Sequence, residues 1–214
     1  MTFTDYLSNN YENLIELSVE HIQLVLISML IATVAGVPLG IIAHRSALLR
    51  PAILSVSSFF LTIPSLALFA IFIPIFGLGS PPAVAALTLY ALLPIVANTV
   101  AGLASVNPAV VKASRGMGLG PGRRLWQVEL PLAWPVIVTG MRVSTQVVIG
   151  IAAIAVFVGG PGLGNEIFRG IRSLGNPSAE NLVYGGTLGI VAIALIFDAF
   201  FVVVRRFTTP RGIR

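Results

Sequence analysis

The sequence predicts an all-α membrane protein with five transmembrane helices, its N-terminus outside and its C-terminus in the cytosol. Three observations carry this. Of the 214 residues 56% are hydrophobic and only 10% charged, where soluble domains hold about 25% charged. The apolar residues lie in long unbroken runs, without the two-residue alternation of a membrane β-barrel. The basic residues gather on one side of a five-span topology. A mean hydropathy of +0.95 points the same way.

Residues 1–20 carry Asp5, Glu12, Glu16 and Glu20 and no Lys or Arg, unlike a cleavable signal. Phe3, Tyr6, Leu7, Tyr11, Leu14 and Ile15 recur at helical spacing, which predicts an external interfacial helix that anchors the chain or meets an external partner. A charge-free first span covers 22–43. From Pro51 to Val111 there are 61 residues without one Asp, Glu, Lys, Arg or His, far longer than one bilayer crossing of ~20 residues. The run must fold back, and Gly77-Leu78-Gly79-Ser80-Pro81-Pro82 is the breaker. Spans are therefore expected at 52–76 and 83–106. A polar segment, 107–131, precedes a fourth span at 134–158. A Gly-rich loop then leads to a fifth span at 182–204 and a basic tail, 206–214. The five helices form one domain, 21–205.

Five spans put the termini on opposite sides. With the N-terminus outside, Arg45, Arg50, Lys112, Arg115, Arg123, Arg124, Arg205, Arg206, Arg211 and Arg214 are cytosolic, 10 of the 13 basic residues. The excess of inward positive charge selects this orientation. It also accounts for the net charge of +5 without nucleic acid as a partner.

Cysteine is absent, and His21 and His44 are the only histidines, so thiolate chemistry, a metal cluster and a charge-relay triad have no residues to work with. Lys112 is the sole lysine and no Gly-x-x-x-x-Gly-Lys precedes it, so any ATP and Mg would be held by another polypeptide; no cofactor is expected on this chain. Gly160-x-Gly162-x-Gly164 follows no strand and reads as a turn.

Within 107–131, Ala109 to Met117 can form a short helix after Pro108. Gly118-Leu119-Gly120-Pro121-Gly122 bends the chain, and Arg123 to Leu130 can form a second short helix. Such a helix–bend–helix is either a docking element or a basic loop that only fixes orientation. Lys112-Ala113-Ser114, three residues, Gly118, nine residues, then Val128-Glu129-Leu130-Pro131 resembles the EAA loop of ABC importer permeases, with its spacing kept. Thr62-Ile63-Pro64-Ser65-Leu66-Ala67-Leu68, Arg115-Gly116-Met117-Gly118 and Gly159-Gly160-Pro161-Gly162-Leu163-Gly164 extend the likeness to the permeases of glycine betaine/carnitine/choline importers, over about residues 14–205.

The resemblance implies a MetI-like five-helix ABC permease core. Two such permeases, identical or homologous, would form a pathway powered by a cytosolic ABC ATPase dimer and fed by an external solute-binding protein. The chain itself would be no enzyme. An importer for another small solute, such as an amino acid, is the alternative, and a stand-alone carrier lies further off. By the same likeness Lys112, Ala113, Ser114, Gly118 and Pro131, with Arg115 beside them, are the ATPase-coupling positions. Lys112 departs from the family's acid, reversing a charge.

Arg142 and Asp198 are the two charges within spans. Intramembrane charges are costly and pair or line a cavity; their opposite signs at similar depth favour a structural pair. Asn98, Thr99, Ser144, Thr145 and Gln146 either line a polar pathway or bond helix to helix. Pro38, Pro64, Pro74 and Pro94 are expected to bend their spans. Trp126 and Trp134 flank an interface and anchor it.

Lys112→Glu tests the charge reversal. If the ATPase compensates, co-purification of ATPase with the tagged chain falls sharply; stronger retention would argue against compensation.

Overall fold

The computed structural model describes residues 2–176 and 178–209. Helix α1 (Phe3–Arg45) opens with a capping box, Thr2 and Asp5 bonding each other's backbone N–H; hydrogen bonding from the Thr2 side chain and backbone holds the Asp5 carboxyl below the usual carboxylate range. At 43 residues the helix is ~65 Å long, about twice the hydrocarbon thickness of a bilayer. Residues 3–20 are continuous with the helix of the first span, where a separate helix was expected. No breaker stands between Thr2 and Pro38, and once nucleated a helix propagates through such a stretch. The extension is held by packing: Tyr6 is buried, and Phe3 meets the Tyr184 ring edge-on at 6.4 Å.

The span expected at 52–76 is not straight. It is two helices, α2 (Leu49–Thr62) and α3 (Ser65–Phe76), bent by 101°. Pro64 disfavours helical backbone at the residue before it, and Ile63 is extended with ψ 130°. The Tyr90 hydroxyl donates to the Ile63 carbonyl released by the break. Gly77 and Gly79, at φ +77° and +110°, reverse the chain in a region that side chains avoid. The Gly79 N–H donates to the Val158 carbonyl at 2.7 Å.

Helix α4 (Ser80–Ala104) is the centre of the fold, packed between α1 and α7. Glycines let the backbones approach. A Cβ on Gly36 would lie 2.9 Å from Ile95, on Gly40 2.5 Å from Thr99, on Gly102 2.9 Å from the Ala133 carbonyl and on Gly140 2.6 Å from Asn98. The core of Leu24, Val25, Phe69, Leu87, Ile95 and Ile149 fills the remaining space.

After α5 (Pro108–Gly116) and the bend, helix α6 (Pro121–Arg124) runs through one π-helical turn, Leu125–Glu129, into α7 (Leu130–Ala152) and a 3-10 turn, Ala153–Val158. The second short helix expected at 123–130 is therefore the first part of one unbroken rod from Pro121 to Val158. The wider turn precedes Pro131: Leu130 N–H reaches the Leu125 carbonyl, and the register shift admits a residue that has no N–H to give. Gly159, at φ +76°, ends the rod.

Helix α8 (Gly164–Arg172) lies across the end of α9 (Ala179–Thr208), and α9 is largely exposed along its length. The basic tail is described as far as Thr209; Arg211 and Arg214 lie outside the described residues. Among those residues four helices are long and apolar enough to cross a membrane, or five with the bent pair as one span.

Gly140→Ala places a methyl against the Pro94 carbonyl at 2.7 Å, whereas Gly150→Ala meets nothing within 4 Å. The first should cost about 1–3 kcal/mol and lower the Tm of the purified protein in detergent; the second should leave it unchanged.

Candidate coupling face and intramembrane charge pair

Helix α5 stands away from the bundle, at the end where α1 finishes and α7 begins. The Asn107 side chain caps it by accepting from the Ala109 N–H at 2.9 Å, and Pro108 occupies the first turn, where no N–H is needed. Lys112, Ala113 and Arg115 are exposed, while Ser114 is buried and donates to the Val111 carbonyl. Gly118 is at φ +82°, and the Leu119 N–H returns to the Ser114 carbonyl at 3.1 Å, closing α5 sharply. Pro131 is exposed. Met117 and Trp126 are each more than 70% exposed. Small, basic and apolar side chains are thus exposed along α5 and the start of the rod that leads into α7.

Beneath this surface lies a site that sequence reasoning missed. Glu129 is buried and accepts from Arg124 Nε at 2.8 Å and from Arg45 Nη2 at 2.6 Å. One carboxylate thus ties the end of α1 to the π turn that leads into α7. A signal was available: Glu129 is the sole acid between Glu20 and Glu166, set among basic residues. An open cavity of about 480 Å³ between this clamp and α5 is lined by His44, Leu103, Val111 and Lys112 among others. Burial and the neighbouring Arg45 hold the His44 imidazole below its ordinary pKa.

The opposite end has its own buried acid, at a position that the sequence, with Arg169, Arg172 and Glu180, offers as a solvated loop or a contact for the binding protein. Glu166 of α8 accepts from the Tyr6 hydroxyl at 2.6 Å and from Arg169 at 2.9 Å. Burial and that carboxylate push the Tyr6 phenol well above its usual value. The Gly160–Gly164 segment is a turn wedged under α1. Gly162, at φ +109°, packs on His21, and its N–H donates to Glu20 at 3.1 Å. Arg172 lines an open cavity beside Glu166.

Within the spans, Arg142 of α7 and Asp198 of α9 form a two-pronged pair, Nε to Oδ1 at 2.6 Å and Nη2 to Oδ2 at 2.7 Å. Gln146 adds a third bond, Nε2 to Oδ1 at 2.7 Å. The other polar residues behave differently. Thr99, Ser144 and Thr145, read as either pathway lining or helix-bonding groups, are buried and hydrogen-bonded to backbone carbonyls. Thr99 and Thr145 donate to the carbonyls of Ile95 and Met141 one turn back, and Ser144 donates across to Ala91 of α4 at 2.8 Å. Asn98 donates to Pro94 within its own helix and packs on Gly140. Trp134 donates to Thr208. No group of three His, Cys, Asp or Glu side chains with metal-binding geometry occurs among the described residues.

A multi-pass bundle of this topology, with a projecting loop of EAA spacing, defines the membrane-spanning component of an ABC transporter. The chain belongs to the family of binding-protein-dependent transport system inner membrane components, whose pattern matches residues 36–209, and it is an inner membrane protein. It is 37% identical over 209 residues to the choline transport system permease protein OpuBB of Bacillus subtilis, covering 98% of this chain and 94% of that one. It is 38% identical to the osmoprotectant import permease protein OsmW of Salmonella typhimurium, covering 98% of each. An inward-facing structure of the MetNI methionine ABC transporter shares the fold, with a TM-score of 0.82 at 22% identity over 92% of this chain and 96% of that one. The family resemblance read from the 112–131 spacing is borne out by these matches.

Glu129→Gln keeps the side chain's shape but leaves two guanidinium groups without a counter-charge. Because Arg45 is about one-third exposed, the expected loss is near the lower end for a broken buried pair, about 3 kcal/mol, read as a fall in Tm. Glu166→Gln at the opposite end should leave co-purification of ATPase unchanged, whereas Glu129→Gln should reduce it.

Proposed function

We propose that this chain is the membrane-spanning subunit of an ATP-driven importer of quaternary-ammonium osmoprotectants, of the glycine betaine, carnitine and choline type. The observation that carries this reading is similarity along nearly the whole chain to permeases for choline and for osmoprotectants. The subunit pairs with a second permease, receives solute from an external binding protein and is driven by two ATPases. It hydrolyses nothing itself; ATP and Mg belong to the ATPases.

The charge distribution sets α5 and the Arg45–Glu129–Arg124 clamp in the cytosol and the N-terminus outside. There α5 lies in a groove of the ATPase, where Ala113 and Gly118 permit close backbone approach and Arg115 supplies charge. Closure of the ATPases displaces α5. Two stiff links pass the displacement on: the clamp moves the end of α1, and the continuous rod from Pro121 carries it into α7. The result is a switch in which side of the membrane the central route opens to.

The test is reconstitution of the complete complex in vesicles with its binding protein and measurement of ATP-dependent uptake of glycine betaine and choline. Uptake of either is expected; uptake of an amino acid alone would reassign the solute. Ala113→Arg fills the docking face with a bulky cation. It should abolish uptake and ATPase co-purification while leaving Tm unchanged, because Ala113 is exposed in the free chain.

A further inference from the structure

Asp198 lies about 15 Å from the end of α9 at Thr208, well inside the hydrophobic part of the helix. Its carboxylate and the Arg142 guanidinium are nevertheless open, with side chains 29% and 37% exposed. Gln146, one turn further along α7, is also exposed, and at Gly150, one turn beyond that, an added Cβ would meet nothing within 4 Å. Arg142, Gln146 and Gly150 therefore line one open stripe at intervals of four residues. A charged pair with a polar amide beside it is expensive against acyl chains. The opposite side of α9, with Ile196, Phe200 and Val203, has the composition that suits lipid. An open groove of about 510 Å³ runs from Arg142 between α7 and α9, past Val138 and Phe201, to Arg205 at the α5 end. Arg142, at one end of the stripe, thus borders an open route between α7 and α9.

Resting on the functional reading above, we propose that the Arg142–Asp198–Gln146 cluster is a solute-contact site on this route, where a zwitterionic solute exchanges partners with the ion pair. The two-pronged guanidinium geometry that holds the Asp198 carboxylate fits a solute carboxylate equally well. Asp198, released, faces the quaternary ammonium, and Gln146 keeps one hydrogen bond to it. The exchange leaves every charge matched, since the solute brings one of each sign. The pair also competes for its own members, so the solute is accepted without being retained.

The absence of cysteine from the chain allows a direct test in the complete reconstituted complex. Gln146→Cys, buried Ser144→Cys and apolar, exposed Ile196→Cys are treated with a membrane-impermeant trimethylammonium-ethyl thiosulfonate. Reaction requires a hydrated thiolate, so the Gln146→Cys variant should react at least about tenfold faster than the other two, and saturating glycine betaine should slow it severalfold. A rate no faster than that of Ile196→Cys, or a fast rate that glycine betaine leaves unchanged, overturns the proposal. The double variant Arg142→Gln/Asp198→Asn removes both charges without stranding either. Its glycine betaine uptake should fall about tenfold or more, the worth of one charge-assisted hydrogen bond, at unchanged complex yield; undiminished uptake overturns the proposal, and a lost yield leaves the decision to the cysteine variants. Wild-type complex that imports neither glycine betaine nor choline refutes the functional reading itself, a result distinct from each of these.

Discussion

Close contact between α4 and its two neighbours is the constraint on which the remaining structure depends. Gly36 and Gly40 of α1 seat on Ile95 and Thr99, Gly102 seats against Ala133, and Gly140 of α7 seats against Pro94 and Asn98. In a bilayer the hydrophobic effect does not distinguish helix–helix from helix–lipid contact, so association rests on close packing and on hydrogen bonds between helices. The glycines provide the first and Ser144, donating to Ala91, provides one of the second. The slab made by α1, α4 and α7 carries everything else: the bent α2–α3 pair on one side, α8 and α9 on the other.

The placement of charge follows from that slab. Both ends of the bundle are closed by a single buried carboxylate, Glu129 at one and Glu166 at the other, each bonded to groups from distant parts of the chain. Neither is a surface ion pair of negligible worth, since each acid is almost completely out of water. They fix where α1 ends relative to α7 and where it begins relative to α8. The Glu129 clamp has a mechanical consequence, because it sits between the projecting α5 and the rod that enters the core. The third pair, Arg142 with Asp198, is different in kind: it is open, lies within the span and borders a groove.

Local chemistry that looks disruptive is used at defined places. Pro64 breaks a span through 101° because the residue before it is driven to extended backbone and Tyr90 takes up the freed carbonyl. Pro131 breaks nothing, since a π turn has already shifted the hydrogen-bond register. The same residue type has opposite outcomes, and the difference lies in whether the hydrogen-bond register has already shifted ahead of the proline.

Much was legible in the sequence. Composition and unbroken apolar runs determined the class of protein, the glycine–proline cluster at 77–82 determined the turn-back, and the spacing from Lys112 to Pro131 determined the family. These are local signals, written in neighbouring residues. Residues 3–20 joining the first span, the π turn, the 101° bend and the burial of Thr99, Ser144 and Thr145 were decided by tertiary structure. Each depends on what lies alongside: α8 and α9 beside the start of α1, Tyr90 beside Ile63, Ala91 beside Ser144. The Arg45–Glu129 bond joins residues 84 apart in sequence, and no periodicity spans that distance. Sequence alone determines which residues are too costly to leave unpartnered; only the packed fold decides which partner each receives, because that choice is made by proximity between helices.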